Sequence, residues 1–371
     1  MSTTVAALQC GERVVRCSLG EPVDRLPFGF GLGWYPWGET LERWKSESGN
    51  KHLDIFQEFG FDCSFALPAI QPGVFPLFEH KVIEENEQFV TARDEHGITK
   101  RNRRDGGSMP EFLDYPVKTP ADWRRFKQER LDPLAAGRCT EAWDAFRARL
   151  SRTGEAVQVG AFPWGVFGTP RNFLGAEEIL YGFYTEPEML KDMMKHLTAL
   201  WLSVWERVAQ EVQIAHIHIW EDMAGKQGSL ISPQMVEEFM MPCYDRIAAF
   251  ARAHGVRLVS VDTDGNCAQL VPVMLKHGVN VFFPFEVQAG CDILEYRRQY
   301  PALGIWGGLD KRALAGTRAG IDQEVARAAR MAEHERYVPG FDHLIPPDVP
   351  WENYRYAVLE LKKVCYGKFG A

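Results

Sequence analysis

With 371 residues, 46% hydrophobic and 25% charged, the chain has the balance of a globular protein able to bury a large core, which excludes wholesale disorder. A formal net charge of −8 with no long Lys/Arg run argues against a nucleic-acid partner, and no stretch approaches the roughly 18 uninterrupted apolar residues of a membrane span. The cysteines show no CxxC pair or zinc-finger spacing, and the first residues, MSTTVAALQCGERVV, lack the apolar core of a signal peptide, so free thiols in a reducing cytoplasm are expected.

Residues 1–150 read as an N-terminal arm and elaboration, and 151–371 as the main run of strand–helix repeats. The arm opens with a Trp- and Gly-rich segment, FGFGLGWYPWGETLERW. Trp34 and Trp37 there, with Trp164 later, could wall an apolar or aromatic substrate, although tryptophan is more often core packing. A hairpin is predicted within residues 80–105, with Glu87–Thr91 and Gly97–Arg101 flanking a charged tip. It could cover a site or dock a partner. The basic residues Lys100, Arg101, Arg103 and Arg104 fit a solvated hairpin better than a binding patch.

From Val157 onward one pattern recurs: a short apolar run ending in acids or Gly, then a helical stretch. The predicted strands are Val157–Gly160, Ala215–Trp220, Val256–Val261, Asn280–Phe285, Leu303–Gly307 and Tyr337–Val338. Strands alternating with helices imply a parallel sheet. In the helix after the second strand, Ser232 caps, Pro233 takes the first position, Gly255 closes the end, and Pro242 forces a kink or break near 238–242.

Side chains alternate along a strand. In Arg257–Asp264 the even residues share one face, so Asp262 and Asp264 point inward near the C-terminal rim while Val259 and Val261 lie under helices. The same alternation turns His216, His218 and Trp220 inward from the preceding strand. For each histidine a hydrogen-bonded core role is the plainer reading. Strand-terminal acids recur at Glu221/Asp222, Asp262/Asp264, Glu286 and Asp310 and would converge on one rim, where barrel enzymes keep their chemistry. Capping of the following helices is the plain alternative, above all for Asp310. His343 lies in a Pro-rich turn and suits proton transfer or ligation, with a surface-loop histidine as the bland alternative.

GKQGSLISPQMVEEFMMPCYDRI, VDTDGNCAQLVPVMLKHGVNVFFPFE and GIWGGLD resemble the uroporphyrinogen decarboxylase superfamily, which includes the corrinoid-dependent methyltransferases. The resemblance spans about residues 110–360. It implies a (β/α)8 TIM barrel, here with an N-terminal hairpin-containing elaboration, and possible homodimers. True decarboxylases carry an Arg-rich N-terminal signature, roughly RQAGRY, that meets the substrate's carboxylates; here stands GFGLGWYPWGETLERW, and of the decarboxylase Leu-Gly-His-Gly setting only His343 is kept. The thiol-activating methyltransferases hold zinc through His-x-Cys-Gly and a later Cys, whereas this chain reads Asp262-Thr263-Asp264-Gly265. Zinc or a harder divalent metal on oxygen and His ligands remains open. Cys267 and Cys291 are expected to be small buried thiols.

The leading expectation is a corrinoid-linked methyltransferase, a demethylase, acting on a small O- or N-methylated substrate with the corrinoid on a partner protein. Asp262, Asp264, His343 and Glu221 are its catalytic candidates; Trp34, Trp37, Trp164, His218 and Asp310 its substrate-binding candidates; and Asp262, Glu286 and His343 its candidate metal ligands. The alternatives are a metal-independent decarboxylase of a porphyrin-type substrate and a non-catalytic barrel that binds a corrinoid or small ligand.

Overall fold

The computed structural model describes residues 6–105 and 109–367. Four antiparallel strands form a sheet in the first half: β1 (Lys81–Glu85), β2 (Phe89–Arg93), β3 (Thr99–Arg103) and β4 (Glu111–Asp114), in that order. The hairpin read from sequence is β2–β3, its arms two residues later than predicted. Asp94 explains the shift: its Oδ1 accepts from His96 N (3.0 Å) and Ile98 N (2.9 Å), so the side chain itself builds the turn. The basic residues expected at the tip lie on or just after β3 and are paired, Lys100 with Asp94 (2.7 Å), Arg101 with Glu111 (3.1 Å) and Arg104 with Glu85 (2.7 Å).

The second half supplies six parallel strands: β5 (Val157–Val159), β6 (Ile214–Trp220), β7 (Leu258–Asp262), β8 (Val281–Phe283), β9 (Gly304–Trp306) and β10 (Tyr337–Val338). They neighbour one another in sequence order in a single sheet, as helical crossovers dictate. Beyond β5, one parallel bridge pairs Ala66 with Val157, and Asp62 N donates to Phe28 O (2.8 Å). The architecture is therefore α/β with a parallel sheet, and among the described residues that sheet counts six strands, where eight were expected.

The crossover after β6 shows how local chemistry sets geometry. Ser232 Oγ accepts from Met235 N (3.2 Å) and starts the helix. The expected break takes the form of a π-helical turn over Val236–Met240, after which the α-helix resumes at Met241–Ala253. Pro242, with no N–H to give, sits where the hydrogen-bond spacing changes back.

Alternation divides the core as read from sequence: Ile217, Ile219, Val259 and Val261 are buried under the helices. The helix Cys10–Leu19 packs Val14 and Val15 into a separate cluster with Leu258, Val281 and Val338, closing the floor beneath the strands. Cys10 and Cys63 form a disulfide, their Cα atoms 5.8 Å apart. This corrects the expectation that every cysteine is a thiol; a separation of 53 residues leaves no local signal for the pair. Cys267 and Cys291 are free and buried as expected. No helix of the described residues is long and apolar enough to cross a membrane.

Candidate functional site

A cavity of about 370 Å³ opens over the C-terminal ends of β5 to β9. Its walls are largely aromatic, with Phe30, Tyr35, Phe65, Phe283, Trp306 and Phe341, and its rim carries Leu67 and Phe162, which are 51% and 69% exposed. The polar side chains Ser64, Gln158, His216, His218 and Asp262 share the lining, and no Lys or Arg does so among the described residues. An apolar pocket with a few convergent polar groups is the usual form of a small-molecule site.

Gln158, His216 and His218 form one hydrogen-bonded chain through Ser260. Gln158 Oε1 lies 2.9 Å from His216 Nδ1, Ser260 Oγ 2.7 Å from His216 Nε2, and His218 Nδ1 3.0 Å from the same Oγ. His218 Nε2 then faces Asp262 Oδ2 at 3.8 Å, and His218 stacks on Phe283. Burial pushes His218 down to about 4 and His216 well below its ordinary value, so both rings are neutral. Burial, reinforced by the charges of Asp264 and Asp222, holds the Asp262 carboxyl well above the usual carboxylate range. Asp262 thus keeps its proton at pH values where an exposed aspartate has lost it.

The other acids form a separate rim network built on a cation. Lys311 Nζ lies 3.5 Å from Glu286 Oε1 and 3.4 Å from Asp342 Oδ1. Glu286 also accepts from Gly265 N (3.0 Å), and the buried Asp342 accepts from Val287 N (2.9 Å) and Lys311 N (3.1 Å). His343 Nε2 is 3.6 Å from Asp264 Oδ2. Burial, with the charges of Glu286 and Asp222, lifts Asp264 to about 7; burial and Lys311 lower His343. None of Asp264, Glu286 or His343 lines the cavity.

This arrangement does not fit the expected metal. Among the described residues no three His, Cys, Asp or Glu side chains are grouped as an ion would need, and the Lys311 ammonium sits beside Glu286 as its counter-charge. Asp262 instead faces the cavity with His218.

Several single-residue expectations need correction. Glu221 is fully buried and saturated: Oε1 accepts from Val166 N (3.0 Å) and Tyr244 Oη (2.6 Å), Oε2 from Phe167 N (2.6 Å) and Gly168 N (3.1 Å). It anchors the loop carrying Phe162 and has no capacity left to touch a substrate. Gly165 is required there, because any Cβ would run into the Trp220 carbonyl oxygen. Asp222, in the left-handed region at φ 43°, is clamped by Arg171, which donates to its carbonyl (2.6 Å) and carboxylate (2.5 Å).

Trp34 is fully buried, its indole N–H donating to Pro339 O (3.0 Å); it is core. Trp37 and Trp164 also stand outside the cavity lining; Trp164 packs on Gly73 and edge-on to His96, tying the antiparallel sheet to the strand ends. Asp310 caps a short 3-10 turn, accepting from Arg312 N (3.0 Å) and its guanidinium (2.9 and 2.7 Å). Asp310→Ala is expected to cost about 1 kcal/mol, as a lost N-cap does, and to leave ligand affinity unchanged; urea unfolding and a binding titration check both.

Sequence reasoning passed over Gln158, Ser260, Tyr244, Lys311 and Asp342. Gln158 and Ser260 carried a usable signal, since both lie on the inward face of strands already identified. Lys311, beside Asp310, and Tyr244, on a helix, carried none.

A parallel α/β sheet carries an aromatic cavity over its C-terminal strand ends, with the Asp262 carboxyl held well above the usual carboxylate range in the lining, which is the usual form of a small-molecule site. The uroporphyrinogen decarboxylase (URO-D) family model matches residues 95–364, and the chain belongs to that family. Among solved structures, a methyltransferase from Methanosarcina mazei is 14% identical with a TM-score of 0.59, covering 96% of this chain and 99% of that one, which is a likeness of fold. A muconate cycloisomerase from Pseudomonas fluorescens is 11% identical with a TM-score of 0.27, over 81% of this chain and 76% of that one. Among curated proteins none matches.

Proposed function

We propose that the protein is a methyltransferase that removes a methyl group from a small O- or N-methylated substrate and passes it to a corrinoid carried by a partner protein. The carrying observation is the cavity itself: aromatic walls, no cation among its described lining residues, and an Asp262 carboxyl that burial and neighbouring acids hold well above the usual carboxylate range beside His218. Likeness of fold to a structure described as a methyltransferase agrees with this reading. The (β/α)8 closure belongs to the same proposal, with the segments around Phe28 and Ala66, already bonded toward Asp62 and Val157, as the remaining two staves.

Ether oxygen is a poor leaving group until it is protonated. With a methoxy oxygen at Asp262, the carboxyl proton moves to that oxygen as the methyl–oxygen bond breaks. The bonding pair stays on oxygen, and a hydroxylated product remains with an Asp262 carboxylate. The aromatic walls exclude water and hold the body of the substrate, and burial keeps both histidines neutral. A reduced corrinoid would supply the nucleophile that receives the methyl group. A cavity of about 370 Å³ is at the small end of ligand pockets, so the macrocycle would approach from outside, against the exposed rim of Leu67 and Phe162.

A porphyrin-type substrate is disfavoured by the same observation. Its many carboxylates need cationic partners when buried, and the described lining offers none.

The test supplies anisole or a methylated amine, isotopically labelled at the methyl carbon, with a reduced corrinoid protein, and follows methylation of the corrinoid by its absorption spectrum and by label transfer. Transfer that requires this protein is the expected result. Absence of transfer from every O- and N-methylated donor shown to occupy the cavity would overturn the proposal.

A further inference from the structure

Two neutral histidines joined through one serine must each keep a single N–H, and the polar chain in the cavity wall settles where. Gln158 Nε2 donates to Gly160 O at 2.9 Å, so its Oε1 is the atom facing His216 Nδ1 and must accept. His216 therefore carries its hydrogen on Nδ1 and presents a bare Nε2 to Ser260 Oγ, which must donate. Ser260 has only one hydrogen. Toward His218 Nδ1 it can only accept, so His218 carries its hydrogen on Nδ1, leaving Nε2 as an acceptor. That atom lies 3.8 Å from Asp262 Oδ2, beyond hydrogen-bond reach, and both residues line the cavity.

We infer that Gln158 and Ser260 fix the polarity of this chain, making His218 Nε2 and the Asp262 carboxyl a two-point subsite for one hydroxyl oxygen of a neutral ligand with an apolar body. An oxygen about 2.8 Å from each atom spans the gap, accepting from Asp262 and donating its own hydrogen to His218. A hydroxyl group satisfies both partners; an ether oxygen satisfies only Asp262 and leaves the buried His218 Nε2 unpaired. The ligand class is a phenol or alcohol, which is also what demethylation would release, so the site favours the hydroxylated form over its methyl ether. The inference rests on the cavity being the ligand site, as proposed above, and not on methyl transfer. Gln158 and Ser260 are positioning residues, since they act through His218.

The experiment titrates the native protein with phenol and with anisole by calorimetry, and records nitrogen NMR of protein labelled in its histidine rings. Phenol is expected to bind about tenfold tighter or more, since a site built for a hydroxyl rejects the analogue lacking it. The His218 spectrum is expected to show a protonated Nδ1 and a bare Nε2 that shifts when phenol enters. In Gln158→Leu the tautomer becomes mixed and the preference shrinks toward unity, which simple loss of packing would not produce; should that variant not fold, the native spectrum decides alone. Equal affinities, or a hydrogen on Nε2 in the native protein, would overturn the inference. Neither readout depends on a corrinoid, so failure here and failure of methyl transfer are separable.

Discussion

Replacing Asp262 by Asn is expected to slow methyl release from an ether by about 10²–10⁴-fold, the range for loss of a positioned general acid, while making the protein more stable at alkaline pH. The amide keeps shape and polarity but has no acidic proton to give. The stability effect has a definite sign. Burial raises the folded-state value of Asp262, so the folded protein holds a proton that the unfolded chain releases once pH passes about 4. Stability is full below that point and is lost as pH rises toward the raised folded value, with a slope of at most about 1.4 kcal/mol per pH unit for one proton. Asp262→Asn removes this contribution. Its urea midpoint is expected to match the native one near pH 4 and to exceed it at pH 8, with a shallower decline between. Asp264 and Asp342, also raised, keep part of the slope. A variant as active as the native protein would show that Asp262 only lines the cavity and would favour a non-catalytic binding role.

Glu221→Gln is the second large effect, and it strikes folding first. Both Glu221 oxygens accept, and four donors converge on them. The amide turns one acceptor into a donor facing two others. At about 1–3 kcal/mol for each buried group left unpaired, the loss is expected to be roughly 2–6 kcal/mol in urea unfolding. The loop from Ala161 to Gly168 should loosen with it and weaken ligand binding, because Ala161 and Phe162 line the cavity. Tyr244→Phe removes a single donor and should cost less. A Glu221→Gln protein of native stability but without activity would return Glu221 to the catalytic group from which its burial removes it.

The sequence revealed what depends on periodicity. Alternation along Ile214–Trp220 and Leu258–Asp262 put His216, His218 and Asp262 on the inner face and Val259 and Val261 under helices, and the structure agrees. Clustering of the strand-terminal acids was legible only in part. Asp264, Glu286 and His343 do share a rim, but Asp310 turns back to cap its own turn and Glu221 is consumed by a loop, choices made by backbone donors distant in sequence or absent from any pattern. Trp34 illustrates the limit: its hydrogen-bond partner, the Pro339 carbonyl, lies 305 residues away, so nothing local separates a core tryptophan from a substrate wall. Lys311 was illegible for a related reason. Which acids it pairs with depends on the loops of two other strands, and those pairs place an ammonium beside Glu286 and Asp342 at the rim.

The most direct test of the account is the protonation state of Asp262 in the folded protein near pH 7, read by infrared difference spectroscopy between native protein and Asp262→Asn. The account predicts a protonated carboxyl band that is present in the native protein, absent from the variant, and shifted when anisole occupies the cavity. A native spectrum showing Asp262 ionised, with a carboxylate band that ignores the ligand, would contradict it.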